Sequence, residues 1–535
     1  MGAGDVAFSV ERPAEATHGD YATNAALAAA KALGKNPREL ADSLAHMLID
    51  ALGEDVASHV AVAGPGFVNI TLAREAITFA TVEAATKGTE WGKGTAGTGK
   101  RVLVEYSNPN AFKEMHIGHL VGTVVGEAVA RLIENAGATV AHDTFGGDIG
   151  PNVAKALWGL RKDGISKPAT AGEIGAAYVV GSNAYETSPS AKEEIDALNQ
   201  AIYTGKDREL MELWRKGRDV SVEEFRRIWK LLGTHFDFEF FDSDTTETGV
   251  RVVQGGLLKG IFQKSDGAII YNGEKQDVHT MVFITSHNTP TYEAKDIGLA
   301  FLKEERWPSD RSIVITGNEQ TGRFKTVLAA LAEVAPLVAA KTEHLATGFL
   351  KLASGKMSSR EGNVITANEF IKSVIEQASI KNEDPLIAEQ VAVGAMKYMI
   401  LRQAPGSDII FDAEKSLSLL GDSGPYLQYA LVRAKKILAY ASDGASGTDA
   451  PAEPYAVERF ILHYPEVAAR ASGELAPNLL VTYLTELAGQ WNSFYAREQV
   501  LGSPEEAYKQ RVARAFANTM TNGLTLLGIP TPERM

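Results

Sequence analysis

RVLVEYSNPNAFKEMHIGHLVGTVVGE, residues 101–127, is the stretch whose reading decides the fold. Val102, Leu103 and Val104 follow one another without interruption inside residues 101–106, the pattern of a short strand buried on both faces of a parallel sheet. Residues 107–115 carry turn chemistry, with Asn108, Pro109 and Asn110 together. A helix is expected from near His116 to about Asn135, with Leu120, Val124, Ala128, Leu132 and Ile133 on one face. The strand therefore delivers His116-Ile117-Gly118-His119 to the first turn of a helix at the sheet's carboxyl edge. Free backbone N–H groups and the positive end of the helix dipole suit that position to nucleotide phosphates. Two imidazoles three residues apart share one face there and can hydrogen-bond phosphate oxygens. Gly118 is expected to leave room for a ligand against the backbone. Alone, this motif decides little, because two histidines at a helix start also serve as caps.

A second stretch changes the balance. Lys356-Met357-Ser358-Ser359-Arg360 follows the mostly apolar residues 349–353 and is closed by Glu361-Gly362-Asn363. A basic, hydroxyl-bearing loop of this kind suits the closing of a second jaw on a triphosphate. The two stretches, HIGH and KMSSR, together resemble the paired signature of class I aminoacyl-tRNA synthetases.

Composition sets the outer bounds. At 535 residues, 45% hydrophobic and 22% charged, the chain has room for three or four globular domains. No run approaches the roughly 20 apolar residues of a membrane span, and no basic-then-apolar leader opens the sequence. The absence of cysteine excludes disulfides and thiolate zinc sites, so a cytoplasmic location without membrane attachment is expected. A net charge of −14 argues against a general nucleic-acid coat; RNA binding would need basic residues gathered on one face. Arg433, Lys435 and Lys436 are the first candidates for that face.

Along the chain, residues 1–95 read as a small α+β domain. Residues 18–33 and 37–52 are expected to be helices, with strands at 60–62 and 67–71 around Gly64-Pro65-Gly66. GKGTAGTGK, residues 92–100, is a linker; Arg101 follows its last lysine where a phosphate-binding P-loop needs Ser or Thr. Residues 100–375 alternate strand and helix, with a charged, helix-patterned insertion at about 162–243. The fold class that follows is α/β, a Rossmann-like doubly wound parallel sheet split by an insertion. Residues 380–535 read as all-α, broken only by turns and a linker at 441–454.

Two acids point to the ligand. Glu105 ends the first strand beside the HIGH loop, and Tyr292 and Asp296 stand one helical turn apart on the helix before the SIVIT strand. Two carboxylates aimed at one pocket, with an aromatic ring to stack on, make a site for a planar, permanently charged guanidinium.

At this point the resemblance narrows to the arginyl-tRNA synthetases and spans essentially the whole chain. It rests on HGDYATNAAL (18–27), GPGFVNITL (64–72), VEYSNPNAFKEMHIGHL (104–120) and SDGAIIY (265–271). TPTYEAKDIGLA (289–300), KMSSREGNVI (356–365), GPYLQYALVR (424–433), WNSFY (491–495) and the terminal GIPTPERM complete it. By that resemblance Glu105, Asn110, Tyr292, Asp296 and Gln320 hold substrate arginine, the acids at its side chain and Asn110 and Gln320 at its α-amino or carboxylate end. His116, Gly118, His119, Lys356, Met357, Ser358 and Ser359 bind ATP, and Lys113, His116, His119 and Lys356 serve catalysis. The resemblance also implies ATP with Mg²⁺, no protein-bound metal, and a monomer that takes L-arginine and tRNA(Arg). Its first domain touches the tRNA elbow and its helical domain reads the anticodon. Two positions depart from the family's pattern. Ser359 replaces the usual second lysine of the loop, a role that falls to Lys113, and residues 147–152 read GDIGPN where the family has GDxGTQ. The rival readings are a catalytically weak tRNA-binding paralogue and a class I ligase for another amino acid.

Overall fold

The protein's structure, a computed structural model, describes residues 6–13, 15–353, 365–440 and 450–535. Contacts group the chain into two compact units, one of residues 93–428, 468–482 and 524–535 and the other of residues 1–92, 429–467 and 483–523.

The first of these is built on a five-stranded sheet. Strand β1 (Arg101–Glu105) leads through residues 106–116 into helix α1 (Ile117–Asn135), and β2 (Thr139–Gly146) returns beside β1. Next come β3 (Phe238–Phe241), α2 (Asp242–Leu258), α3 (Tyr292–Arg306), β4 (Arg311–Gly317), α4 (Thr321–Val334) and β5 (Thr342–Thr347). Every pair is parallel and the spatial order is β5-β4-β1-β2-β3. The chain runs outward from β1 to β3, then comes back to β4 on the other side of β1. Strand order reverses between β1 and β4, and the crevice beyond their carboxyl ends is where such a sheet takes a ligand. Register sets Glu105 opposite Val314 on one side and Asp143 on the other.

The apolar run does what a doubly covered strand demands: Val102, Leu103 and Val104 are buried. Helix α1 packs closely on the sheet because Gly126 makes room for Tyr106, whose ring would lie 2.2 Å from any Cβ there. Between β2 and β3, helices Ala171–Thr187, Pro189–Thr204 and Arg208–Leu231 form the insertion, whose Ile174, Ile195 and Leu213 share a core with Phe112 of the β1–α1 loop and with Val153 and Leu157. The residues after them rejoin the main sheet as β3. A small antiparallel sheet of Gln263–Ser265, Ala268–Tyr271 and Met281–Ile284 packs Tyr271 and Phe283 against Phe262.

In the second unit, an antiparallel sheet orders Val10–Glu11, Tyr21–Thr23, Phe67–Leu72 and Ala57–Ala63. Leu40, Ala41, Val60 and Val68 form its core with two helices. Helix Arg74–Thr86 meets the helical segment through a buried cluster. Arg74 reaches Glu458 at 3.2 and 3.3 Å and the Tyr508 hydroxyl at 2.8 Å, and the Thr81 hydroxyl donates to the same carboxylate at 3.2 Å.

Two expectations fail. Residues 18–33 do not form one helix: Tyr21–Thr23 is a strand and the helix begins at Ala25. Gly19 turns the chain with φ +89°, and the Asp20 carboxylate accepts the Leu72 N–H at 2.8 Å, so sheet pairing overrides the helical propensity of the alanines. Nor is the chain helical throughout beyond residue 386. Ile409–Phe411 pairs in parallel with Leu350–Leu352.

Candidate active site

The loop joining β1 to α1 is held in costly backbone geometry. Ser107, Asn108 and Phe112 all have positive φ (74°, 49° and 63°), a concentration that marks functional loops. Asn108 ties the loop down, donating from Nδ2 to Glu105 at 2.8 Å and accepting the Phe145 N–H at 2.9 Å. Asn110 is lodged against Gly147, where any Cβ would lie 2.2 Å from its Oδ1.

The two histidines cap α1 and each other. His116 Nδ1 accepts the Gly118 N–H at 3.1 Å, and His119 Nδ1 accepts the His116 N–H at 3.2 Å. Their rings stack with centroids 3.7 Å apart. Because both Nδ1 atoms accept backbone N–H groups, the neutral rings carry their protons on Nε2, and the Nε2–H edges remain as donors. Desolvation and the nearby Lys113 ammonium hold His116 below its ordinary pKa; desolvation, His116 and Lys113 hold His119 well below. Capping and phosphate binding are thus complementary uses of one ring. The room expected for a ligand at Gly118 is taken by the cap itself, since a Cβ would lie 2.9 Å from His116 Cε1.

Glu105 and Asp296 line one narrow cleft among β1, β4, α3 and α4, together with Lys303, Val314 and Phe324. Both carboxylates already hold a cation. Lys303 Nζ lies 2.5 Å from Glu105 Oε2 and 3.0 Å from Asp143 Oδ2. Arg323 Nη1 binds Asp296, and its Nε donates to Gln320 Oε1 at 2.8 Å. Burial pushes Asp296 up to about 6 and Asp143 up to about 7, against the pull of Arg323 and Lys303 respectively. Burial opposes the Lys303 ammonium too, but Asp143 and Glu105 outweigh it and raise its pKa.

Tyr292 stands half exposed one turn before Asp296. Its ring centroid lies 5.2 Å from Lys295 Nζ, which is buried on Asp242 at 2.8 Å. Lys113 projects over the ring of Tyr178 from the insertion, 4.5 Å from its centroid. Lys356, Met357, Ser358 and Ser359 lie outside the described residues. The structure therefore brings Glu105, Asp296 and, through Arg323, Gln320 together at one cleft. Asn110 and the two histidines stand along the loop that leaves β1. Among the described residues no cluster of three acids or histidines is arranged to hold a metal ion.

Sequence reasoning missed Arg323, Lys303 and Asp143. Lys303 falls two helical turns after Asp296, so heptad spacing could have found it on the same face of α3. Nothing local announces the other two.

Residues 82–413 match the family described as tRNA synthetases class I (R), catalytic domain. Residues 427–535 match the DALR anticodon binding domain, and residues 2–72 the arginyl tRNA synthetase N terminal domain. The chain belongs to the class I arginyl-tRNA synthetases. An arginine–tRNA ligase of Treponema denticola is 29% identical over 99% of this chain and 95% of its own. That of Flavobacterium psychrophilum is 28% identical over 94% and 90%. Among solved structures, Thermus thermophilus arginyl-tRNA synthetase superposes with a TM-score of 0.82 at 26% identity, covering 99% of this chain and 96% of that one. The expected parallel sheet, N-terminal α+β domain and helical C-terminal domain are those of this synthetase family.

Proposed function

We propose that this arginine–tRNA ligase selects its amino acid with Glu105 and Asp296 and activates it at the start of α1. The observation that carries this reading is the cleft itself, lined by two buried carboxylates that each hold a basic side chain, at the end of the strand whose following helix starts with two Nε2–H donors. The α-carboxylate of arginine attacks the α-phosphorus of ATP, supplied as its Mg²⁺ complex. The bond to the bridging oxygen breaks, and pyrophosphate leaves from arginyl-adenylate. A terminal ribose hydroxyl of tRNA(Arg) then takes the arginyl group and AMP departs. No side chain need act as nucleophile. The protein supplies in-line positioning and preorganised donors where phosphate charge develops.

In this reading His116 and His119 donate from Nε2 to phosphate oxygens, Gly118 keeps the cap closed, and Lys113 leaves Tyr178 for the triphosphate. Lys356, with Met357, Ser358 and Ser359, is assigned to ATP from the family's loop motif. Asn110 and Gln320 take the α-amino and carboxylate end of arginine, and Tyr292 bounds its side chain. We further propose a cytoplasmic monomer whose first domain meets the tRNA elbow and whose helical domain reads the anticodon. No helix among the described residues is long and apolar enough to cross a membrane. The test is ATP–pyrophosphate exchange with each amino acid in turn, with and without tRNA. Arginine alone should support exchange; activity with another amino acid, or with none, would overturn the reading.

A further inference from the structure

The cleft contains an arginine of its own. Arg323 presents to Asp296 the same planar, permanently charged group that the substrate carries, and its second anchor, Gln320, is another residue assigned to substrate. Asp296 is therefore matched by Arg323 before any ligand arrives, while the single Lys303 ammonium is shared between Glu105 and Asp143. A cationic substrate gains Asp296 as a full charge partner only if Arg323 gives way. Lys303 is held by two carboxylates and its side chain is 7% exposed. Arg323 is held by one carboxylate and one amide, and its side chain is 20% exposed. Arg323, more exposed and with fewer charged partners, is the one that can leave.

We propose that Arg323 is a placeholder for the substrate guanidinium: it neutralises Asp296 in the free enzyme and is displaced when arginine binds. The inference rests on Asp296 as the receptor of the substrate side chain. It assigns Arg323 a positioning and selectivity role, because only a ligand that matches the fork of a guanidinium competes well with one. A binding-competent state populated only in part raises the apparent Kd by the reciprocal of that fraction. Removing the placeholder should therefore tighten binding.

The test uses the full chain at pH 8 and titration calorimetry with two ligands, arginine and agmatine, which keeps the guanidinium and lacks the carboxylate. Arg323→Gln should tighten both by the same factor, about tenfold or more. Arg323→Lys, which keeps a charge but not the fork, should give a smaller gain for both. In an Asp296→Asn background the gain from Arg323→Gln should vanish, as two changes acting through one contact require. If Arg323→Gln weakens arginine and spares agmatine, Arg323 binds the substrate carboxylate and the placeholder role is overturned. Unchanged affinity for both ligands also overturns it. The receptor assignment fails separately, if Asp296→Asn alone leaves both ligands bound as in the wild type. Should the Gln variant fail to fold, the Lys variant decides, since equal or weaker binding of agmatine contradicts the proposal.

Discussion

Lys303 Nζ lies 2.5 Å from Glu105 Oε2 and so connects the fourth turn of α3 to the end of β1, in the lining of the cleft. The same ammonium is 3.0 Å from Asp143 Oδ2, and all three side chains are almost fully buried. Removing one member of such a group strands the others without water or partner. Lys303→Met should therefore cost roughly 3–5 kcal/mol in the unfolding transition of the catalytic unit. Denaturant unfolding followed by tryptophan fluorescence measures this; a loss below about 1 kcal/mol, the range of an exposed pair, would contradict the arrangement.

Arginine use should fall off on the acid side for an identifiable reason. Burial pushes Asp296 up to about 6, so the carboxylate is ionised at pH 7.5 and takes a proton as pH falls through 6. A protonated acid offers a guanidinium no charge, and KM for arginine should rise steadily from pH 7 to pH 5.5. Asp296→Asn removes the titrating group and should flatten that rise. Desolvation and Lys113 hold His116 and His119 below their ordinary values, so both rings favour the neutral form near pH 7.5 in the free enzyme, and KM for ATP should be flat between pH 8 and pH 7. Steady-state kinetics across the range decides; an arginine KM independent of pH would contradict the role of Asp296.

The two edges of His119 can be separated. Asn places an acceptor where Nδ1 now accepts the His116 N–H, but it has no donor at the Nε2 position. Gln reaches the Nε2 position with a donor and abandons the cap. His119→Asn should keep stability and lose about 10²–10³ in kcat, the usual cost of one preorganised donor. His119→Gln should lose roughly 1 kcal/mol of stability, the worth of a cap, and retain more of the rate. Equal kcat in the two variants would mean that Nε2 touches no phosphate.

The basic residues after GPYLQYA divide in the structure. Arg433 is tied into its helical surroundings, 3.3 Å from Asn492 Oδ1 and with its guanidinium 4.2 Å from the centre of the Tyr495 ring. Lys436 is exposed. If this face meets tRNA, Lys436→Ala should lower the log–log salt slope of tRNA binding by roughly one unit or slightly less. Arg433→Ala should chiefly lower thermal stability. An unchanged slope in Lys436→Ala would move the RNA to another surface.

What the sequence disclosed was what local pattern can carry. Val102, Leu103 and Val104 announced a buried strand, and His116 to His119 announced the helix that follows it. Tyr292 and Asp296 stood one turn apart on a single helix. The partners of the two acids were hidden because each pair is long-range. Lys303 meets Glu105 and Asp143 only once β1, β2 and α3 are assembled, and Arg323 meets Asp296 across α3 and α4. Ile409–Phe411 is too short to display a period of two, and its pairing with Leu350–Leu352 is decided by tertiary contact. The strand Tyr21–Thr23 was masked by the alanines after it, whose helical propensity spilled backward over a segment that Gly19 and Asp20 commit to the sheet.

The central claim is that Asp296 and Glu105 receive a guanidinium, and it is tested most directly by ATP–pyrophosphate exchange with arginine, canavanine and citrulline. Arginine presents five fixed N–H donors and a permanent charge; citrulline has nearly the same shape and no charge. The wild type should activate arginine and canavanine and refuse citrulline, because a site with buried charged acceptors rejects a ligand that leaves them unanswered. Asp296→Asn should raise KM for arginine by about tenfold or more, at about 1.4 kcal/mol per decade, with KM for ATP barely changed. Exchange with citrulline as fast as with arginine, or an Asp296→Asn enzyme that uses arginine like the wild type, would contradict the guanidinium pocket.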